Sequence, residues 1–181
     1  MLLEILLGSY CFYRSFTKEE MAGRSLLHLL GLDSMPSRET LKNLFIVFVS
    51  CLAGNIIAAI SGRETPVQNA IIDSYLPKRG PYKWFAIFDI GVVSPIREEL
   101  IYRGWLSLIL SKYRLSWECK LFLSALIFAF DHRGYAYPHI LSSFFMGGFA
   151  SWQYMRSGTL YAPMFMHMTN NILRSCAELW K

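Results

Sequence analysis

The sequence predicts an all-α protein, a polytopic membrane bundle of about five to six helices, some of them kinked or broken. The chain has 181 residues, of which 54% are hydrophobic and 17% charged, whereas a soluble domain carries about 25% charged residues. The apolar residues are concentrated in blocks, several of which approach the ~20 residues that span a bilayer core. At this length the chain is expected to form one domain.

The apolar blocks define the predicted helices in order. Residues 1–16 lack a basic leading segment and a small-residue cleavage site. They are therefore predicted to be a retained membrane or interfacial helix. Residues 41–60 have the length of a full membrane span. The later apolar blocks cover residues 84–110, 121–130, 140–154 and 159–173.

Two polar segments separate these blocks. Residues 17–40 contain a leucine cluster and fit an amphipathic interfacial helix that ends near Gly31. Residues 61–83 are rich in proline and form a polar connector. We therefore divide the single membrane domain into residues 1–80, with the N-terminal helices and the connector, and residues 81–181, a helical core that holds the concentrated polar residues.

The distribution of charge excludes one class of partner. The net charge is +5, but the basic residues flank the apolar blocks and do not line one face. Lysine and arginine beside membrane spans are typical of cytoplasmic loops, so nucleic acid is not expected as a partner and the lipid bilayer is. The four cysteines lie in or beside apolar blocks without ligand-like spacing, which predicts buried thiols.

Ionisable residues interrupt the apolar block at residues 84–110. Such residues cost a few kcal/mol each in hydrocarbon and are functional-site candidates by default. Ser94 and Pro95 resemble an N-cap followed by proline at the first helical position, so a helix is predicted to start or kink there. A straight helix over this block would span roughly 40 Å at about 1.5 Å per residue, which also favours a break or a strong tilt.

The spacing of Glu98, Glu99 and Arg103 separates the expected roles of the two carboxylates. Glu99 and Arg103 are four residues apart and can pair on one helix face. Glu98 is turned by roughly 100° from Glu99, so it can face a cavity. A desolvated carboxylate away from its counter-charge can act as a general base. The alternative is that both carboxylates only bind neighbouring helices.

Two later blocks each supply a histidine. Phe128 and His132 are four residues apart and share a helix face. His139, just after a proline, is assigned a structural role. His167 and Asn171 are also four residues apart, and two convergent N–H donors suit a developing oxyanion. The alternative for this pair is a hydrogen bond between helices.

Together these residues predict a polar reaction centre assembled from three helices. Neither a G-x-S-x-G elbow nor an H-E-x-x-H motif is present in the sequence. We expect no cofactor. The spacing also permits zinc held by His132, His167 and Glu98 around an activated water.

Three motifs carry a resemblance to a known family. The patterns Glu-Glu-x-x-x-Arg, Phe-x-x-x-His and His-x-x-x-Asn resemble, in order and spacing, motifs of the CPBP family, which comprises CAAX prenyl endopeptidases, bacteriocin-processing enzymes and Abi-type proteins. The small-residue pair at 147–148 and the run before the last motif are similar as well. The resemblance covers about residues 82–175, and the three motifs occupy residues 98–103, 128–132 and 167–171.

The resemblance implies a multi-helix intramembrane endopeptidase. It implies that Glu98 and His132 activate a water and that His167 and Asn171 form the oxyanion hole. We prefer this metal-free glutamate mechanism to the zinc version, because an asparagine beside His167 suits an oxyanion donor better than a zinc site. The short chain implies a prokaryotic member in the cytoplasmic membrane, acting on a membrane-anchored protein or peptide.

Two other classes of function fit parts of the pattern. A catalytically silent immunity or partner-binding protein could use the same scaffold, but it would not need to keep four costly buried polar residues. A transporter or proton relay would need a continuous polar path, and the blocks at 41–60 and 140–154 offer few polar groups.

Overall fold

A computed structural model describes most of the core and part of the N-terminal region. Every regular element in these residues is a helix, which confirms the all-α class. The predicted helix at 1–16, most of the span at 41–60 and the connector up to residue 81 lie outside the described residues, and the division at residue 80 stays a prediction. The described residues are 25–33, 82–133 and 137–179, with the isolated positions 37, 38, 42, 45 and 49.

The ranges 25–33, 82–133 and 137–179 contain seven α-helical segments and two π-helical segments. The α-helices pack side by side along the core, with α5 against α6 and with α7 against both α6 and the first π segment. The elements are α1 Leu26–Leu29, α2 Tyr82–Phe88, π1 Asp89–Val93, α3 Ser94–Glu99, π2 Leu100–Trp105, α4 Leu106–Ser111, α5 Trp117–Asp131, α6 Tyr137–Ser157 and α7 Tyr161–Leu179.

The segments from α2 to α4 form one continuous helix, so no new helix starts at Ser94, and the irregularity predicted there as a start or a kink is a π segment that ends at Val93. Val93 and Ser94 both have right-handed helical dihedral angles, and the Ser94 N–H bonds to the carbonyl of Asp89, five residues back. Pro95 has no N–H to give to an α-helical ladder. The wide π turn changes the register just before this proline, and the chain passes it without ending the helix.

Small residues allow α5 and α6 to pack closely. A Cβ atom added to Gly147 would lie 3.0–3.2 Å from side-chain atoms of Phe128. The Ser151 hydroxyl donates to the Ser124 hydroxyl across the same interface at 2.8 Å. Small side chains and hydroxyl hydrogen bonds are typical of helix interfaces in membrane bundles. The paired glycines at 147–148 therefore lie where α5 and α6 approach closely.

The short helix α1 ends at Gly31, as predicted. Gly31 has φ +64°, and the Leu32 N–H bonds to the carbonyl of Leu27 at 2.8 Å, which is a glycine-terminated helix end of the Schellman type. The carbonyl of Gly31 accepts a hydrogen bond from the Leu160 N–H at 3.0 Å. The Tyr161 hydroxyl donates to the carbonyl of Leu32 at 3.0 Å. The segment is therefore tied to the start of α7.

Large apolar side chains lie on the outside of the bundle. Along α5, three exposed residues recur at helical spacing, and α6 repeats the pattern. Within the described ranges, none of the helices combines the length and the apolar composition of a membrane span. The exposed side chains that recur at this spacing are Phe122, Leu126 and Phe130 on α5 and Leu141, Phe145 and Phe149 on α6.

Candidate active site

The close approach of α7 to the first long helix brings the motif residues together. A Cβ atom added to Gly91 in π1 would lie 2.7 Å from the Ile172 Cγ1 atom of α7, so only glycine permits this approach without a shift. The contact holds α7 against π1 and α3. As a result, His167 lies beside both Glu98 and Glu99.

Glu99 is the centre of a buried charge network. Its Oε1 atom accepts a hydrogen bond from Arg103 Nη1 at 3.0 Å and one from His167 Nδ1 at 2.8 Å. The Glu99 and Arg103 side chains are fully buried, and His167 is 2% exposed. The predicted contact between Glu99 and Arg103 is present. The contact with His167 was not predicted, because spacing along one helix says nothing about the helix that packs on it.

Arg103 is held on three sides. Besides its contact with Glu99, the guanidinium donates from Nη2 to the carbonyl of Gly147 at 2.9 Å. The guanidinium carbon lies 4.7 Å from the centre of the Phe128 ring, a cation–π distance. A buried charge needs such partners, because its desolvation costs several kcal/mol. Arg103 therefore links α6 to the carboxylates.

The contact with Glu99 fixes the tautomer of His167. A carboxylate only accepts hydrogen bonds, so Nδ1 of His167 carries the proton. The other ring nitrogen, Nε2, lies 3.8 Å from Oε2 of Glu98. This separation is too long for a direct hydrogen bond. The geometry thus leaves a short gap between the imidazole and the second carboxylate.

Glu98 has a hydrogen-bond partner of its own on the same helix. Its Oε1 atom accepts a hydrogen bond from the Ser94 hydroxyl at 2.6 Å, which the sequence reasoning missed although the two residues are one helical turn apart. Its Oε2 atom is buried and has no hydrogen-bond partner in the described part of the chain. The side chain is 19% exposed. One oxygen is therefore bound, and the other faces His167.

His132 ends α5 and packs against Phe128, as predicted. Its ring centre lies 4.8 Å from that of Phe128, and its Nδ1 atom donates to the Phe128 carbonyl at 2.8 Å. The Phe128 ring also contacts His167 at 5.8 Å. The ring centre of His139, which was assigned a structural role, lies 5.6 Å from that of His132. The Nδ1 atom of His139 lies 3.1 Å from Nη2 of Arg174. Phe128 thus contacts both of the predicted site histidines.

Asn171 binds the backbone of π1. Its side-chain amide donates to the carbonyl of Ile90 at 3.0 Å. In the π register, in which the Ser94 N–H bonds to the carbonyl of Asp89, the partner of the Ile90 carbonyl would be the nitrogen of Pro95, which has no hydrogen. Asn171 therefore supplies the missing donor. The nitrogen of a primary amide carries two N–H groups. Asn171 therefore has a second N–H besides the one that binds the Ile90 carbonyl.

The donors needed for a metal centre do not come together in the described residues. No group of three His, Cys, Asp or Glu side chains there is arranged to hold a metal ion. Of the three ligands in the zinc alternative, Glu98 and His167 face each other. The catalytic roles of Glu98, His132, His167 and Asn171 stay predictions, as do the supporting roles of Glu99 and Arg103.

The family model for Type II CAAX prenyl endopeptidase, Rce1-like, matches residues 80–173, just over half of the chain. The chain belongs to this family, which confirms the resemblance drawn from the three motifs. The matched residues include all six predicted site residues.

One curated relative is similar to part of the chain. The UPF0177 protein YbdJ of Lactococcus lactis subsp. lactis (strain IL1403) is 32% identical over 109 residues, which cover 55% of this chain and 46% of that protein. The chain thus aligns with less than half of the length of that relative. The comparison with solved structures found no significant match.

Proposed function

We propose that this protein is an intramembrane endopeptidase that hydrolyses a peptide bond in a membrane-associated protein or peptide. The observation that carries the proposal is the buried Oε2 atom of Glu98, which has no partner in the described residues and faces Nε2 of His167 at 3.8 Å. Family membership supports the reaction class. The arrangement of carboxylate and imidazole supports a mechanism in which Glu98 is the base.

In this mechanism a water binds at Oε2 of Glu98. Glu98 takes one proton from the water as the oxygen attacks the carbonyl carbon of the substrate, and the proton then passes to the leaving amine. His132 supports the same step. Its Nδ1–H donates to the Phe128 carbonyl, which fixes the orientation of the ring.

The oxyanion is stabilised by donors on α7. His167 holds its Nδ1 proton towards Glu99, so its Nε2 atom donates to an oxyanion when the ring is an imidazolium. The second N–H of Asn171 is the other donor. Preorganised donors of this kind stabilise developing charge in a dry site.

The bilayer is the proposed surroundings of the bundle. The outer faces of α5 and α6 carry large apolar side chains at helical spacing, and Phe130 and Phe145 are about two-thirds exposed. Contiguous apolar surface of this kind on a helix bundle marks an interaction site or a lipid contact. The family supports a membrane location. We propose the prokaryotic cytoplasmic membrane as the location and a membrane-anchored chain as the substrate.

The decisive experiment compares Glu98→Gln with the wild type. The full-length protein is purified in detergent and assayed with an internally quenched farnesylated peptide that ends in a Cys-a-a-X sequence, and with the same peptide without the prenyl group. Wild-type hydrolysis of either peptide, lost in a Glu98→Gln protein that unfolds at the wild-type temperature, supports the proposal. Equal turnover of the two proteins would show that Glu98 is not the base.

Further measurements separate the alternatives. His132→Ala should reduce turnover about as much as Glu98→Gln, and the double variant should be little worse, because residues that act on one water are not additive. The metal-free mechanism predicts full activity after chelation and no zinc by metal analysis. Activity that follows zinc content would replace the glutamate mechanism by a metal-dependent one. A wild type that hydrolyses no member of a membrane-peptide library would favour the silent partner-binding protein.

A further inference from the structure

Ser94 lies one helical turn before Glu98 and connects it to a cation. The Ser94 hydroxyl donates to Oε1 of Glu98 at 2.6 Å, and Arg97 Nη2 donates to the same hydroxyl at 3.3 Å. All three side chains are partly buried. A guanidinium has donors and no acceptor, so the hydroxyl hydrogen cannot point to Arg97. The hydrogen is therefore directed at Glu98.

We propose that Ser94, with its hydroxyl oriented by Arg97, is a positioning residue for Glu98. It binds Oε1 so that Oε2 stays turned towards His167. The proposal rests on the proposed function for its kinetic consequences, because Glu98 is the base in that mechanism. The positioning itself rests on the two hydrogen bonds and on the buried, unpartnered Oε2 atom.

The need for a positioning group follows from the flexibility of glutamate. The last torsion of a glutamate side chain has a broad energy profile, so the carboxylate plane is not fixed by its own bonds. A base that is rotated out of line with its water loses much of the advantage of a prearranged site. The short bond from Ser94 removes this freedom.

The kinetic test uses Ser94→Ala and Ser94→Thr in the full-length protein. Alanine is a strong helix former, so the fold should be kept. Loss of a hydrogen bond to a charged group should lower kcat roughly 10- to 100-fold without a change in KM, because Ser94 does not bind substrate. Threonine keeps the hydroxyl and should restore most of kcat. Wild-type kcat in Ser94→Ala, with an inactive Glu98→Gln, would overturn the proposal.

Ser111→Ala is the matched control on the same long helix. Ser111 is exposed, and its hydroxyl donates to the carbonyl of Leu108 at 2.6 Å, so its removal should leave kcat unchanged. Arg97→Ala should lower kcat by less than Ser94→Ala and should add little when both are changed. Residues in one hydrogen-bonded chain couple in this way, whereas independent effects would multiply. Multiplicative losses would show that Arg97 does not act through Ser94.

A spectroscopic measurement tests the positioning without any substrate. Difference infrared spectra of the wild type and Glu98→Gln identify the carboxylate bands of Glu98. These bands should shift in Ser94→Ala, return in Ser94→Thr and stay unchanged in Ser111→Ala. Unshifted bands in Ser94→Ala would refute the hydrogen bond. If the bands shift while Glu98→Gln is as active as the wild type, the positioning stands and the proposed base is wrong.

Discussion

Removing the charge of Arg103 should destabilise the fold strongly. Arg103 is fully buried, shares Oε1 of Glu99 with His167, and donates to the carbonyl of Gly147. Arg103→Met keeps an unbranched side chain but leaves a buried carboxylate without its cation. Breaking a buried ion pair from one side costs about 3–5 kcal/mol. The same substitution leaves the carbonyl of Gly147 without its donor, and an unpaired buried acceptor costs about 1–3 kcal/mol.

A double variant of Glu99 and Arg103 tests the pair more specifically, because it measures the coupling energy between the two residues. Glu99→Gln alone should also be destabilising, because it leaves the Arg103 guanidinium buried and uncompensated. In the double variant with Arg103→Met no unpaired charge remains in this pair. Contacting residues couple by about 0.5–3 kcal/mol, and a buried pair should lie near the top of that range. The double variant should thus lose about 2–3 kcal/mol less than the sum of the single losses.

The assay is denaturant or thermal unfolding of the full-length protein in detergent, followed by tryptophan fluorescence. Arg156→Met serves as the control, because Arg156 is exposed and lies 5.9 Å from the Trp152 ring centre. A surface change of this type should stay within about 0.5 kcal/mol. An Arg103→Met protein as stable as Arg156→Met, or strictly additive single losses, would refute the buried-pair reasoning.

Three further changes test contacts of the site and its support. Gly31→Ala should lower the free energy of unfolding more than Gly158→Ala. Both glycines have positive φ, but a Cβ at Gly31 would lie 2.3 Å from the Gly158 carbonyl oxygen, whereas one at Gly158 meets nothing within 4 Å. Gly147→Ala should lower the unfolding temperature, because the added Cβ would crowd the Phe128 side chain. A calorimetric scan measures this temperature. Asn171→Ala should lower turnover by about 10²–10³ with little change in KM, and Asn171→Asp should be worse, since it places a negative charge at the oxyanion.

Contacts within one helix were predictable from the sequence. The pairing of Glu99 with Arg103 and the packing of Phe128 against His132 both follow from a separation of four residues, which the helix geometry fixes. The end of α1 was predictable for a similar reason, because glycine readily adopts the positive φ that closes a helix. Each of these predictions depends on neighbours in the chain alone.

Contacts between helices were not predictable in the same way. The spacing of residues assigns each side chain to a face, but it does not say which faces meet. The bond from Arg103 to the Gly147 carbonyl crosses 44 residues, and the bond from His167 to Glu99 crosses 68. The helical register also changes at π1, where the sequence pattern of Ser94 and Pro95 suggested a new helix. The contacts that assemble the site could therefore be seen only in the three-dimensional packing.

The π turn and the proline together explain why Asn171 lies where it does. In π1 the Ser94 N–H bonds to Asp89, so the next carbonyl, that of Ile90, falls opposite the nitrogen of Pro95. Proline cannot donate, and an unpaired buried carbonyl costs about 1–3 kcal/mol. The Asn171 amide satisfies that carbonyl from α7 and thereby fixes the helix that also carries His167. The same side chain thus has a structural bond on one N–H and a proposed catalytic bond on the other. Turnover losses in Asn171 variants therefore report catalysis only when they are compared at equal unfolding free energy.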